Sequence, residues 1–262
     1  MRRRAIPLWS PFSHAGLSFW LDASDQGTLD LVSGAVQTWR DKSGRDRHVT
    51  APSTAARPAW SATGLASLAP GVTFDGTDDI LTRAEAWAYA AGAATHFLVA
   101  TGGSILTNRF VVSEGNTAND NSTYAPFKSS TTTASTIHSF VNDDAAAANL
   151  NNQPATTAGW AATAKVLVRM DTGANMRERS SGTGGVNGTS YTRGTVTLNT
   201  FALGARARTT PTAFAAVTIA ELLIFTRLLD QREIERVEGY LRHKWGADAL
   251  VADHPYFGSA PR

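Results

Sequence analysis

Apolar residues in this chain come in short runs broken by turn residues, and only one segment repeats them at helical spacing. That pattern constrains the fold more than any other feature. In Gly16–Ala23 the residues Leu17, Phe19 and Leu21 alternate on one face with Trp20 on the other, as in a strand. Val36–Trp39 is a second short strand, ended by the turn set Asp41-Lys42-Ser43-Gly44. Val72-Thr73-Phe74 runs into Asp75-Gly76, a strong turn dipeptide. His96–Ala100, Phe110–Val112, Thr136–Val141, Lys165–Met170, Thr195–Leu198 and Phe201–Gly204 read as further strands. Val217–Phe225 is apolar almost throughout, the signature of a central strand covered on both faces. Ser113–Ser135 is rich in Asn, Ser and Thr and reads as a polar loop or a weak edge hairpin. Many strands without intervening helices indicate a β-sandwich or barrel.

The exception is 230–245. Asp230 and Glu233 have the spacing of a capping box, and Ile234, Val237, Leu241 and Trp245 share one helical face. Gly246 is placed to end the helix. Gly239 inside it costs about 1 kcal/mol relative to alanine, an expense explained if it admits close approach to the sheet.

Composition narrows the class. With 262 residues, no cysteine and a formal charge of +2, the chain can bury a large core without disulfides or a thiolate metal site. The charge is too small to indicate nucleic-acid binding, and no run is long and apolar enough to span a membrane. Arg2, Arg3 and Arg4 begin like a signal peptide, but Ile6–Pro11 is no apolar core for one, so the expectation is a leaderless chain assembled in the cytoplasm. The expected organisation is an N-terminal arm (1–14), one domain (15–246) holding the helix 230–245, and a tail (247–262).

Phe19–Asp25, Trp39–Gly44 and Val72–Asp79 occur in that order in laminin-G-like domains. Ile219–Phe225, Glu238-Gly239-Tyr240-Leu241, Lys244-Trp245-Gly246 and His254-Pro255-Tyr256 are similar to the closing segment of such domains. The chain thus resembles the concanavalin A-like, laminin-G-like family found in bacterial surface proteins and tailed-phage structural proteins. The resemblance covers roughly residues 17–82 and 217–256. It implies an all-β jelly-roll sandwich with one C-terminal helix.

Fold alone does not give function. The single domain with its arm points to a non-enzymatic decoration or spike protein of a phage particle, an oligomer located in the virion. Arg2, Arg3, Arg4, Trp9 and Phe12 would anchor it to other virion proteins. The alternatives are a carbohydrate-binding host-attachment module, with a surface glycan as partner and the bacterial cell surface as location, and a glycan-degrading enzyme. For sugar binding the candidates are Tyr124, Trp160, Tyr191, Asn119 and Asp120, which combine aromatic faces with polar neighbours; the competing reading is that the rings anchor loops. Asp78 and Asp79 are the candidates for calcium, the one cofactor considered, against a role in shaping the turn. A glycosidase needs two carboxyl groups flanking the scissile bond. Glu178 stands alone between arginines, Glu114 is isolated in a loop, and Glu221 in its apolar strand is expected in a structural ion pair. His254 reads as structural and His243 as a solvated or dipole-stabilised residue near the helix end.

Overall fold

The structure, a computed structural model, describes residues 9–66, 69–102, 107–129, 136–145, 148–156, 163–180, 182–184, 189–247 and 250–262. Its strands pair antiparallel throughout and form two layers. The centre of the first is Ala216–Phe225, the apolar run of the sequence. It pairs along one side with Ala94–Gly102. On its other side it meets Ala69–Asp75 at its start and Leu17–Asp22 at its end. Lys165–Asp171 and then Asn175–Ser180 extend this layer beyond Ala94–Gly102.

The second layer runs from Ala35–Trp39 through Val49–Thr50, Leu81–Arg83, Thr200–Leu203, Phe110–Gly115, Thr123–Ser129 and Ile137–Asn142 to Ala148–Thr156. Ala59–Leu65 pairs with the first layer and also touches Ala35, so the hydrogen-bonded network folds over there. Between the layers Phe19 packs against Trp87 and Phe201, and His96 against Tyr124 and Phe127. Strands flanked on both faces explain why Ala94–Gly102 is buried at every position.

Two expectations are corrected. Within Ser113–Ser135 the described part, 113–129, is not a long loop or an edge: Thr123–Ser129 pairs on both sides and is buried throughout. Its polar residues point to a loop because their partners lie far away in sequence, as Ser113 Oγ donating to the carbonyl of Ala205 shows. Thr195–Leu198 is irregular, and the strand begins at Thr200.

The helix Gln231–Trp245 has the capping box its sequence announces, with Glu233 N–H donating to Asp230 and the Asp230 N–H to Glu233. Gly246 takes the left-handed conformation that ends it. Gly239 makes room for the tail rather than the sheet: a Cβ there would stand 2.5 Å from Tyr256 Cβ. The tail is further held by His243 Nε2 at 2.8 Å from the Tyr256 carbonyl and by His254 beside the buried Glu238. Among the described residues no helix is long and apolar enough to cross a membrane.

Glu221 fastens helix to sheet. Trp20 Nε1 (2.7 Å), Trp245 Nε1 (2.5 Å), Tyr240 Oη (3.1 Å) and Lys244 Nζ (2.7 Å) all donate to its buried carboxylate. Burial pushes its pKa up, and Lys244 opposes that. Removing this carboxylate would leave the buried indole N–H groups of Trp20 and Trp245 without an acceptor and Lys244 with Asp22 alone. Glu221→Ala should therefore lower stability by about 3–5 kcal/mol in urea titration, with the helix released first in hydrogen exchange.

Candidate functional site

A cavity of about 430 Å³ opens at the rim of the second layer, bounded by Thr107–Phe110 on one side and Arg206–Ala213 on the other. Arg109, Arg206 and Arg208 line it together with Asn108 and Thr212. Arg206 and Thr212 close a narrow hairpin through mutual backbone hydrogen bonds. Ser113 anchors the hairpin by accepting the Ala207 N–H and donating to the Ala205 carbonyl. Only glycine fits beneath it, because a Cβ on Gly115 would lie 2.0 Å from the Ala207 carbonyl oxygen. The Phe110 N–H donates to the Ala213 carbonyl and joins the two walls.

Arg206 is held over the edge of the sheet. Its Nε donates to Thr123 Oγ1 and its Nη2 to the Asn121 carbonyl, and its guanidinium lies 5.5 Å from the Phe110 ring. Burial first, and then the charge of Arg208, lower its pKa to about 10. Lys128 lies behind, its ammonium 5.6 Å from the same ring and its pKa lowered to about 8 by burial and by Arg206. The Nε atoms of Arg109 and Arg208 are buried and have no hydrogen-bond partner. Two non-glycine residues in the cavity wall, Asn108 (φ 60°) and Ala213 (φ 54°), adopt the left-handed conformation. Asparagine tolerates it, whereas alanine is strained there. The sequence concealed this site because Arg109 lies far along the chain from the Arg206–Arg208 hairpin and the three match no motif.

Tyr124 and Tyr191 do not form a sugar platform. Tyr124 is 0% exposed, packed between Tyr89 and His96, so its ring has no face for a ligand. Tyr191 is buried and donates its hydroxyl to Asp171, which also pairs with Arg193. Aromatic rings with polar neighbours suggested a ligand surface, but both side chains are buried. Trp160 lies outside the described residues. Asn119 and Asp120 occupy the 116–121 loop beside the arginine cavity: Asn119 braces the loop through the Asp144 carbonyl, and Asp120 accepts the Thr209 N–H from the hairpin.

Arg2, Arg3 and Arg4 also lie outside the described residues. From Trp9 onward the arm packs on its own domain. Trp9 is buried against Tyr240, while Phe12 meets the Trp20 edge and stays 59% exposed.

Asp75, Asp78 and Asp79 bring carboxylate oxygens within 4.8 Å of one another. Their local bonds are those of a turn: Asp75 accepts the Thr77 N–H, and Asp79 the Asp75 N–H. Burial and the two neighbouring aspartates raise the Asp79 pKa to about 6. The glutamates are committed elsewhere. Glu114 is not in a loop but buried in its strand, where it accepts the N–H groups of Trp87, Ala88 and Tyr89. Glu178 pairs with the buried Arg169, and Glu238 with Arg179.

No protein-family model and no curated protein matches the sequence. The fold is similar to that of Trypanosoma rangeli sialidase in complex with sialic acid, with TM-score 0.58 and 14% identity over 88% of this chain and 33% of that chain. It is similar to the same sialidase in complex with 2,3-difluoro-KDN, with TM-score 0.56 and 14% identity over 84% and 32%. It is also similar to the botulinum neurotoxin serotype D binding domain, with TM-score 0.55 and 12% identity over 85% and 51%. This chain thus spans about a third of the sialidase chains and half of the toxin domain. At these identities the likeness is one of fold. The expectation of a phage structural protein is corrected by it, since the similar solved structures are sialidases and a toxin binding domain.

Two outcomes test this geometry. Ala213→Gly should stabilise the protein by about 1 kcal/mol in thermal or urea unfolding, because glycine adopts the left-handed conformation without a Cβ clash. Asp79, with its pKa raised in the folded state, holds its proton more tightly there than in the unfolded chain. Its contribution to stability is therefore fully present below the unfolded value of about 3.8 and lost as pH rises through about 6. Asp79→Asn should flatten the stability profile between those pH values.

Proposed function

We propose that this chain is a non-enzymatic carbohydrate-binding module on a concanavalin A-like, laminin-G-like jelly-roll sandwich. The observation that carries the reading is the rim cavity, whose about 430 Å³ and wall of guanidinium, amide and hydroxyl groups suit a hydroxyl-rich ligand. Small-ligand sites are concave, largely preformed and furnished with a few fixed polar groups. Here the Ser113 and Gly115 contacts fix the hairpin before any ligand arrives. The two-layer topology and the order of the sequence segments that resemble laminin-G-like domains support the fold assignment. The non-enzymatic part is supported by the fates of Glu114, Glu221 and Glu238, each buried and engaged by structural donors.

Screening the full chain on a glycan array, followed by calorimetric titration of the hits, tests the proposal. The expected result is binding with micromolar to millimolar dissociation constants, reduced at least tenfold by Gly115→Ala, which pushes the hairpin away. Absence of any glycan ligand, or hits unaffected by Gly115→Ala in a variant that still folds, would overturn it. Turnover of a bound oligosaccharide would overturn the non-enzymatic part alone.

A further inference from the structure

We infer that the sugar taken by the rim cavity is acidic, its carboxylate or sulfate group held by Arg109, Arg206 and Arg208. This rests on the reading of that cavity as a glycan site and names the class of glycan.

Seven arginines elsewhere in the described structure are paired with carboxylates. Arg40, Arg47, Arg83, Arg169, Arg179, Arg193 and Arg227 each contact a carboxylate within 4.0 Å. Arg109, Arg206 and Arg208 are among the described arginines for which no such pair is formed, and these three are gathered in the lining of one cavity. The acid that acts on Arg206 is Asp120, and its Oδ1 is already taken by the Thr209 N–H. The Nε–H groups of Arg109 and Arg208 are in addition buried without an acceptor. Clustered like charges cost free energy, as the effect of Arg208 on Arg206 shows, and an anion bound between them offsets that cost. The strained Ala213 and the left-handed Asn108 hold the wall in this costly arrangement, as is common where a ligand is clamped. A planar guanidinium fork matches the two oxygens of a carboxylate, and also sulfate oxygens, better than it matches neutral hydroxyls. A nucleic acid fits less well. Phosphate backbones are tracked by extended basic surfaces, whereas this charge is gathered in one concavity on a chain of formal charge only +2.

The test titrates the full chain with 3′-sialyllactose, a digalacturonate and a heparin-derived disaccharide. Lactose is the neutral counterpart, and inorganic sulfate and a short oligothymidylate are the competing anions. At least one acidic sugar should bind tenfold or more tighter than lactose and weaken severalfold between 50 and 300 mM salt, as charge pairing at a partly exposed site requires. The Arg206→Ala/Arg208→Ala double variant should lose that binding at least tenfold. Arg206→Lys/Arg208→Lys, which keeps charge but not the fork, should fall between. Arg40→Ala, distant from the cavity wall, should bind as the parent does, and unfolding midpoints establish that all variants fold. The sialyl, uronate and sulfate arms distinguish the source of the acid group.

Equal binding of lactose, abolished by Gly115→Ala, would overturn the acidic inference and leave carbohydrate binding standing. No binding of any sugar would overturn both. Tighter binding of oligothymidylate than of every acidic sugar, or sulfate binding as well as the sugars, would overturn the inference in favour of a polyphosphate surface or an adventitious ion only.

Discussion

The carboxylate of Glu221, set in the middle of the long central strand Ala216–Phe225, ties together parts of the chain that are far apart in sequence. Its strand pairs with three others, one of them the opening strand Leu17–Asp22. Its side chain receives donors from that opening strand and from the closing helix. A charge at such a position is tolerated only when fully hydrogen-bonded, so Trp20, Tyr240, Lys244 and Trp245 are all constrained at once. Lys244 also reaches Asp22 at 2.8 Å, and Asp22 pairs with Lys42, which extends the network along the layer. The N- and C-terminal parts of the domain are thereby closed on each other.

The candidate site lies at the margin of the second layer, between 107–110 and 206–213. The second layer is built from strands whose connections are polar and irregular, and the 116–121 loop and the 206–212 hairpin brace each other across it. The Thr209 hydroxyl donates to the Thr117 carbonyl, and the Thr209 N–H to Asp120. Rigid strands beneath and braced loops above give a preformed cavity, the arrangement by which a stable scaffold presents a binding surface. Left-handed Ala213 and the Gly115 contact are both features that a fold optimised for stability alone would not need.

Much of the architecture was legible because short-range rules wrote it. Alternation at Leu17–Leu21, the apolar run at Val217–Phe225, the Asp75-Gly76 turn and the Asp230/Glu233 capping box each depend on neighbours a few residues away. The site was not legible in the same way. Tyr124 and Tyr191 have the composition of sugar-binding rings, yet a ring's exposure depends on what packs over it in the fold, and both are buried. Glu114 in its polar surroundings looked like a loop residue, whereas three backbone N–H groups from 87–89 enclose it. The acidic cluster at 75–79 was visible because it is local.

The sequence by itself determined the all-β class, the central strand, the single capped helix and the structural roles of Glu221 and His254. These follow from periodicity, from turn chemistry and from the cost of burying an unpaired charge. Only the tertiary structure decided that the N-terminal segment from Trp9 folds back on its own domain, that Gly239 serves the tail, and that three arginines share one cavity. Long-range antiparallel pairing sets those proximities. It brings Arg109 beside Arg206 and Arg208 through strands separated by most of a hundred residues, roughly the span over which no local pattern operates.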